Sequence, residues 1–379
     1  MKQIKGLDTL RAFAVFFVLV QHFGVWFDNT SPSGRFIKDV LIPDGGAGVY
    51  LFFVLSGFLI TSILLNAKNI DQGARPLSVL KNFYIRRSLR IFPVYYFLLF
   101  LLVAIDYPDV RKYFVYFATY TSNILTYRTN AWNSFSHTWT LAVEEQFYLL
   151  WPWLIIFVNN KYLRYVFFAA IITGIVSTYI TLMQGHMTAL LVFNSFDAFG
   201  LGSMYAWARL NDKRARQFET AIKILVVPTL IVYFSWKLNY LYPTPFSVPC
   251  LVKTVNSVIA MWLIILVVRN KSAWIGKYFL GNRFLNYIGK ISYGLYLYHY
   301  VYLMYFCGKV NQYLYDITLP YPQVNKVIRD SHVDYWIQVA IMVLIASISY
   351  YLIEKPLLNL KKYFTYGSGK THPISSAQK

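Results

Sequence analysis

Charge is scarce in this chain. Only 14% of its 379 residues are Asp, Glu, Lys or Arg, little more than half the share in a soluble domain, which argues against a large water-soluble globule. Acids are scarcer still, 16 against 36 bases, leaving a net charge of +20. Cysteine is limited to Cys250 and Cys307, which excludes a disulfide-built scaffold and a cysteine-based zinc site. One bond between those two could form if the outer compartment is oxidising. No basic–aromatic module accompanies the positive charge, so nucleic acid is not an expected partner. No small-x-small cleavage site follows the apolar run Ala12–Val20, which Arg11 and His22 flank; the run is therefore a retained span rather than a signal peptide. Internal repeats are missing, as is the matched pair of Gly/Pro-broken helices typical of transporters. No polar stretch is long enough for an appended soluble domain. The expectation is one transmembrane domain over 1–364 with a short polar cytoplasmic tail over 365–379.

Long apolar runs are plentiful, and 57% of the chain is hydrophobic and 19% aromatic. Crossing roughly 30 Å of hydrocarbon takes about 20 residues. Runs of that length fall near 7–27, 45–66, 88–106, 140–159, 163–184, 188–209, 219–237, 248–268, 288–308 and 335–358. The fold class is thus all-α, a polytopic transmembrane bundle of about ten spans. An even count puts both termini on one side. That side collects Lys2, Lys5 and Arg11, six bases from Lys68 to Arg90, Lys161 and Arg164, and five each over Arg209–Lys223, Arg269–Lys290 and Lys355–Lys379, or 26 of the 36. Positive-inside bias makes it the cytoplasm and predicts a multi-pass protein of the inner (plasma) membrane. The aromatic stretch 111–128, flanked by charge, is assigned to an outer loop or interfacial helix.

Ionisable residues within spans are costly and mark candidate sites. Arg11 and His22 are eleven residues apart, three turns plus about 20°, so they share one face about 16 Å apart along the first helix. Asp8, three residues earlier, can pair with Arg11. Ser56–Gly57 lies near mid-membrane in the second span, where small residues permit close helix approach or passage of a substrate chain. Arg86, Arg87 and Arg90 open the third span on neighbouring faces, a geometry that suits bidentate phosphate binding as well as headgroup anchoring. Glu144 and Glu145 stand at the outer end of the fourth span; being 100° apart, one is expected to serve a site and the other the interface. Asp197 falls near the middle of the sixth span with Asn194 one turn away. Ser292, Tyr296 and His299 share a face of the ninth span, His299 at about the depth of His22.

Six segments in order resemble the acyltransferase-3 family of membrane acyltransferases, which O-acylate cell-surface sugars. They are Arg11 and His22 within the opening Leu7–Ala12 pattern, Phe52–Leu59, Arg87–Pro93, Val143–Tyr148, Ile291–His299 and Glu354–Pro356. Some members carry an extracytoplasmic hydrolase-like domain that this chain lacks, so it is expected to act alone or to hand its acyl group to a separate extracytoplasmic partner. The resemblance implies an acyl-CoA donor, acetyl-CoA or another, as substrate, with no permanently bound cofactor and no metal. On that basis Arg86, Arg87, Arg90 and Arg11 would dock the CoA phosphates, and the pantetheine arm would pass Ser56 and Gly57. His22 would be the general base for a glycan hydroxyl, with Glu145 or Glu144 orienting its ring and Ser56, Tyr296 or a backbone N–H serving the oxyanion. Asp197, Asn194, Ser292, Tyr296 and His299 are further polar candidates. The rival reading is a proton-coupled transporter or flippase of a glycan or acyl intermediate, with Asp197, Glu144 and His299 as the relay.

Overall fold

A computed structural model describes residues 6–23, 34, 36, 40–70, 76–241, 249–270 and 272–366, excluding the side chains of 69, 70, 239–241, 249, 250, 273, 331 and 332. Among these residues all regular structure is helical. The main helices are α1 Leu7–Phe23, α2 Gly45–Ile70, α3 Pro76–Ala104, α4 Trp139–Phe157, α5 Leu163–Met183, α6 Phe196–Ala208, α7 Asp212–Leu241, α8 Pro249–Val268, α9 Arg283–Val301 and α10 Ser331–Ser349. Among the described residues six stretches are long and apolar enough to cross a bilayer: Gly45–Lys68, Pro76–Ala104, Leu163–Met183, Asp212–Leu238, Leu251–Val268 and Val333–Tyr363. The stretch 111–129 holds two short helices, Phe114–Ala118 and Ser122–Thr129, tied to α3 by Tyr95 Oη to Phe117 O (2.9 Å) and Tyr96 Oη to Ala118 O (2.7 Å).

Burial separates the centre from the rim. The apolar window of α2 is 72% buried, against 22% for that of α7, so α2 is the axis around which the others pack. Helices at the rim carry exposed apolar rows, such as Phe168, Ile172, Val176, Tyr179 and Met183 on α5. Their spacing of three and four builds a single stripe, the face a helix presents to lipid.

Between helices in lipid the hydrophobic effect offers little, and association rests on close packing and polar contacts. Glycine provides the first where α2 crosses α6. A Cβ on Gly57 would lie 2.2 Å from Phe199 O, and one on Gly202 would lie 2.2 Å from Val54 O. A polar chain provides the second: Trp151 Nε1 donates to Thr61 Oγ1 (2.9 Å), Thr61 to Ser203 Oγ (2.7 Å), and Ser203 to Gly57 O (3.2 Å). It joins α4, α2 and α6 with each hydroxyl satisfied.

The stretch 188–209 is not one continuous helix. α6 has 13 residues, about 20 Å of rise, and follows a 3₁₀ turn at Val192–Ser195. Side chains take the carbonyls that a longer helix would use. Asn194 Nδ2 donates to Thr188 O (2.8 Å), and Lys253 Nζ donates to Thr188 O (2.9 Å) and to Asn194 O. Asp197, expected at mid-span, therefore sits in the first turn of α6, where the helix dipole favours a carboxylate. Cys307 is a free thiol; the side chain of Cys250, the other half of the bond considered, lies outside the described residues.

Candidate active site

Five helices converge on one cavity with about 830 Å³ of empty space, counting its open mouth. Helical spacing decides which side chains reach it. α1 contributes Arg11; α2 contributes Phe52, Ser56 and Leu59; α3 contributes Arg87, Arg90 and Ile91. Thr140, Glu144 and Tyr148 come from α4 at intervals of four, and Ser292 and Tyr296 from α9 at the same interval. The apolar walls make each charge inside expensive unless it is paired.

Some of these charges are paired. Arg11 Nη1 bonds Asp8 Oδ1 at 2.6 Å, as the spacing predicts. Ser56 Oγ donates to Glu144 Oε1 (2.7 Å), which leaves Tyr148 Oη as the donor in its 3.0 Å contact with Ser56. The Arg87 guanidinium stacks over the Tyr148 ring at 4.9 Å. Others have no partner. Arg90 makes no hydrogen bond or ion pair among the described residues, and Glu145 Oε1 is buried and unpartnered. Both carboxylates line the cavity, contrary to the expectation that one serves the interface, because its lining takes in two adjacent columns of α4, Leu141 and Glu145 as well as Thr140, Glu144 and Tyr148.

A second polar group borders the first. The His22 ring lies 5.1 Å from that of His299 and 5.2 Å from that of Tyr300; His137 lies 5.4 Å from His299 and 5.2 Å from Tyr300. His22 and His299 thus meet at one depth, as their helical positions predict. Tyr296 touches both groups: it lines the cavity, and its ring is 5.4 Å from that of His299. Its hydroxyl accepts from Thr140 Oγ1 (2.5 Å) and donates to His137 O (2.9 Å). The hydroxyl protons of Tyr296 and Ser56 are both committed, so either would have to leave its partner to serve an oxyanion. No carboxylate bonds His22 among the described residues; His299 and Tyr300 occupy the flank where Glu144 or Glu145 was expected.

Several candidates lie elsewhere. Gly57 faces α6, while Ser56 faces the cavity. Arg86 turns to the C-terminal segment, donating to Lys361 O (2.6 Å) and Phe364 O (2.9 Å). Ser292 lines the cavity, but its Oγ donates to Gly289 O (2.9 Å) of its own helix. Asp197 and Asn194 belong to a separate cluster: Asp197 Oδ2 accepts from Thr254 Oγ1 (2.8 Å), and Lys253 Nζ reaches Thr178 Oγ1 (3.1 Å). Sequence reasoning missed Tyr148, Thr140 and His137 as site neighbours. The first two follow from the four-residue interval through Glu144. No group of three or more His, Cys, Asp or Glu among the described residues could hold a metal ion.

Comparison with known proteins meets this geometry at residues 4–354, which match the family described as the acyltransferase domain. The chain belongs to the acyltransferase-3 family. It is 26% identical over 388 residues to the Listeria monocytogenes protein named Peptidoglycan O-acetyltransferase OatA, covering 94% of this chain and 56% of that one. It is 27% identical over 390 residues to the Staphylococcus aureus (strain COL) protein named "Putative O-acetyltransferase SACOL0978", covering 94% and 57%. This acyltransferase-3 chain therefore spans a little over half the length of these curated relatives. No solved structure matches it.

Proposed function

We propose that this acyltransferase moves an acyl group, acetyl for preference, from cytoplasmic acyl-CoA to a hydroxyl of an extracytoplasmic glycan. The bundle would cross the plasma membrane ten times with both termini in the cytoplasm. The names of the relatives favour acetyl as the group and peptidoglycan as the acceptor. The observation that carries the reading is the convergence of Arg11, Arg87 and Arg90 with Glu144 and Glu145 in one apolar-walled cavity, beside the His22 cluster. Guanidinium groups bind phosphate in bidentate fashion, and Arg90 is free to do so. An apolar channel past Phe52 and Leu59 suits a pantetheine arm.

His22, neutral in its resting form, takes the proton of the attacking hydroxyl as its oxygen adds to the thioester carbonyl. The C–S bond then breaks, and the imidazolium returns the proton to the leaving thiolate. Transient acylation of His22 would change the order of these steps and not the residues. A separate extracytoplasmic partner could receive the acyl group and complete delivery.

A proton-coupled transporter or flippase needs Asp197, Glu144 and His299 on one path. Asp197 instead bonds Thr254 on α8, and its backbone is packed against Gly174 of α5, outside the cavity. The test is transfer of radiolabelled acetyl from acetyl-CoA in inside-out membrane vesicles. Label is expected in lumenal glycan with the wild type. In His22→Ala it should fall by about 10²–10⁴-fold, the usual contribution of a general base. Unchanged transfer by a folded His22→Ala protein would remove His22 from the mechanism, and no transfer from any acyl-CoA would remove the donor.

A further inference from the structure

Two buried imidazoles beside His22 are each held in one tautomer. His299 is fully buried, and its Nδ1 lies 2.6 Å from Tyr296 O. His137 is 6% exposed, and its Nε2 lies 3.0 Å from Leu297 O. A carbonyl oxygen only accepts, so each of those nitrogens carries the ring proton and the other nitrogen is a lone-pair acceptor. Those acceptors, His299 Nε2 and His137 Nδ1, are buried without a partner among the described residues. A histidine kept only for packing gains nothing from this, since a buried acceptor with no donor carries its full desolvation penalty.

The neighbours narrow what could fill the one on His299. His137 has no proton to give, because its single N–H is committed to Leu297 O. Tyr296 has none either, its hydroxyl proton being on His137 O. Tyr300 meets His299 edge-on with ring centroids 6.2 Å apart, farther than His22 and with no hydrogen bond to Nε2. His22 remains, with its ring centroid 5.1 Å from that of His299. That separation fits an N–H···N bond of about 2.9 Å once the reach from each ring centre to its nitrogen is added.

We propose that His299 is the positioning residue for His22: its Nε2 receives the His22 N–H during turnover, fixing the tautomer that leaves the opposite His22 nitrogen free to take the hydroxyl proton. This rests on His22 being the base. It assigns to an imidazole the orienting role that sequence alone gives to a carboxylate.

Conservative variants separate this role from a structural one. A Gln amide at 299 sets its oxygen near the place of Nε2 and can still accept; an Asn amide sits near Nδ1 and preserves only the bond to Tyr296 O. Acetyl transfer from acetyl-CoA is measured for His299→Gln, His299→Asn and His299→Ala, each in the wild-type and His22→Ala backgrounds, with folding checked by size exclusion and thermal melting in detergent. Loss of orientation should lower kcat by about 10²-fold in His299→Asn and His299→Ala, with the acetyl-CoA KM unchanged. His299→Gln should retain most of kcat, and none of the His299 changes should reduce the residual rate of His22→Ala, because the two act as a unit. His299→Asn as active as the wild type, or His299→Gln as poor as His299→Ala while folded, would overturn the proposal. A further fall in the His22→Ala background would overturn it too. If wild type is active and His22→Ala is not, such results count against His299 alone; if His22→Ala is active, it is the base assignment that fails.

Discussion

Two of the buried polar groups in this helix bundle, the one around Asn194 and the one at the cavity, differ in how completely they are satisfied. Beside Ser195 Oγ and Asp197 Oδ1, which have no partner among the described residues, Asn194 has every side-chain polar atom bonded. Its Nδ2 bonds Thr188 O and Thr181 Oγ1, its Oδ1 takes the Ser177 hydroxyl, and Lys253 and Thr178 donate to its carbonyl. The cavity group is the opposite: Arg90, Glu145 Oε1, His299 Nε2 and His137 Nδ1 have no partner among the described residues. A satisfied buried network holds a shape, while unsatisfied groups cost stability and persist where something else fills them. Burial alone would rank Asp197, 2% exposed, above Glu144 and Glu145, which are less buried. Hydrogen-bond accounting does not set Asp197 apart, since its Oδ2 accepts from Thr254 while its Oδ1 has no partner among the described residues; the satisfied part of that cluster is Asn194, the brace just before α6.

The largest effect expected from breaking that contrast is at Lys253. Lys253→Met removes donors from Thr188 O, Asn194 O and Thr178 Oγ1 and leaves the Asp197 carboxylate without the cation in its electrostatic range. Breaking such a buried arrangement from one side costs about 3 kcal/mol. Thermal melting in detergent should show the loss, while turnover per folded molecule stays within twofold of wild type. A fall in turnover without a change in melting would move this cluster into the active site.

Arg90→Ala should do the reverse. With no bond to break among the described residues, it should leave stability within about 0.5 kcal/mol of wild type. A lost charge-assisted bond to phosphate is worth about 1.5–3 kcal/mol, so the KM for acetyl-CoA should rise by about ten- to a hundredfold. Saturation kinetics in vesicles decide it; an unchanged KM would show that the phosphates bind elsewhere.

Whatever depends on helix periodicity was legible in the sequence. The Arg11–Asp8 pair, the shared depth of His22 and His299, and the approach of Arg87 and Arg90 to one face follow from intervals of three, four and eleven residues. What depends on a partner distant in sequence was not. The apolar run 188–209 conceals the break before α6, since that break is stabilised by Lys253, 59 residues beyond Asn194. His137 stands just outside the predicted fourth span, and the carbonyl that fixes its tautomer is 160 residues away. Gly57 was assigned a ligand role that the close approach of Phe199 takes instead. The pairing of Arg86 with Lys361 O and Phe364 O depends on where the end of the chain returns.

The smallest expected effect has the most telling sign. Glu145 Oε1 is buried in the cavity with no hydrogen-bond partner among the described residues, so the folded protein carries a desolvation cost that the guanidinium groups across the cavity offset only in part. Glu145→Gln preserves the shape and removes the charge. If the group is retained for substrate and not for the fold, melting in detergent should rise, by an amount corresponding to about 1 kcal/mol, while acetyl transfer falls. The same exchange at Asn194, to Ala, should lower melting and spare transfer per folded molecule. A drop in melting for Glu145→Gln would mean that the carboxylate is satisfied in the membrane by a donor of the protein's own, and hydrogen-bond satisfaction would then no longer separate the two clusters.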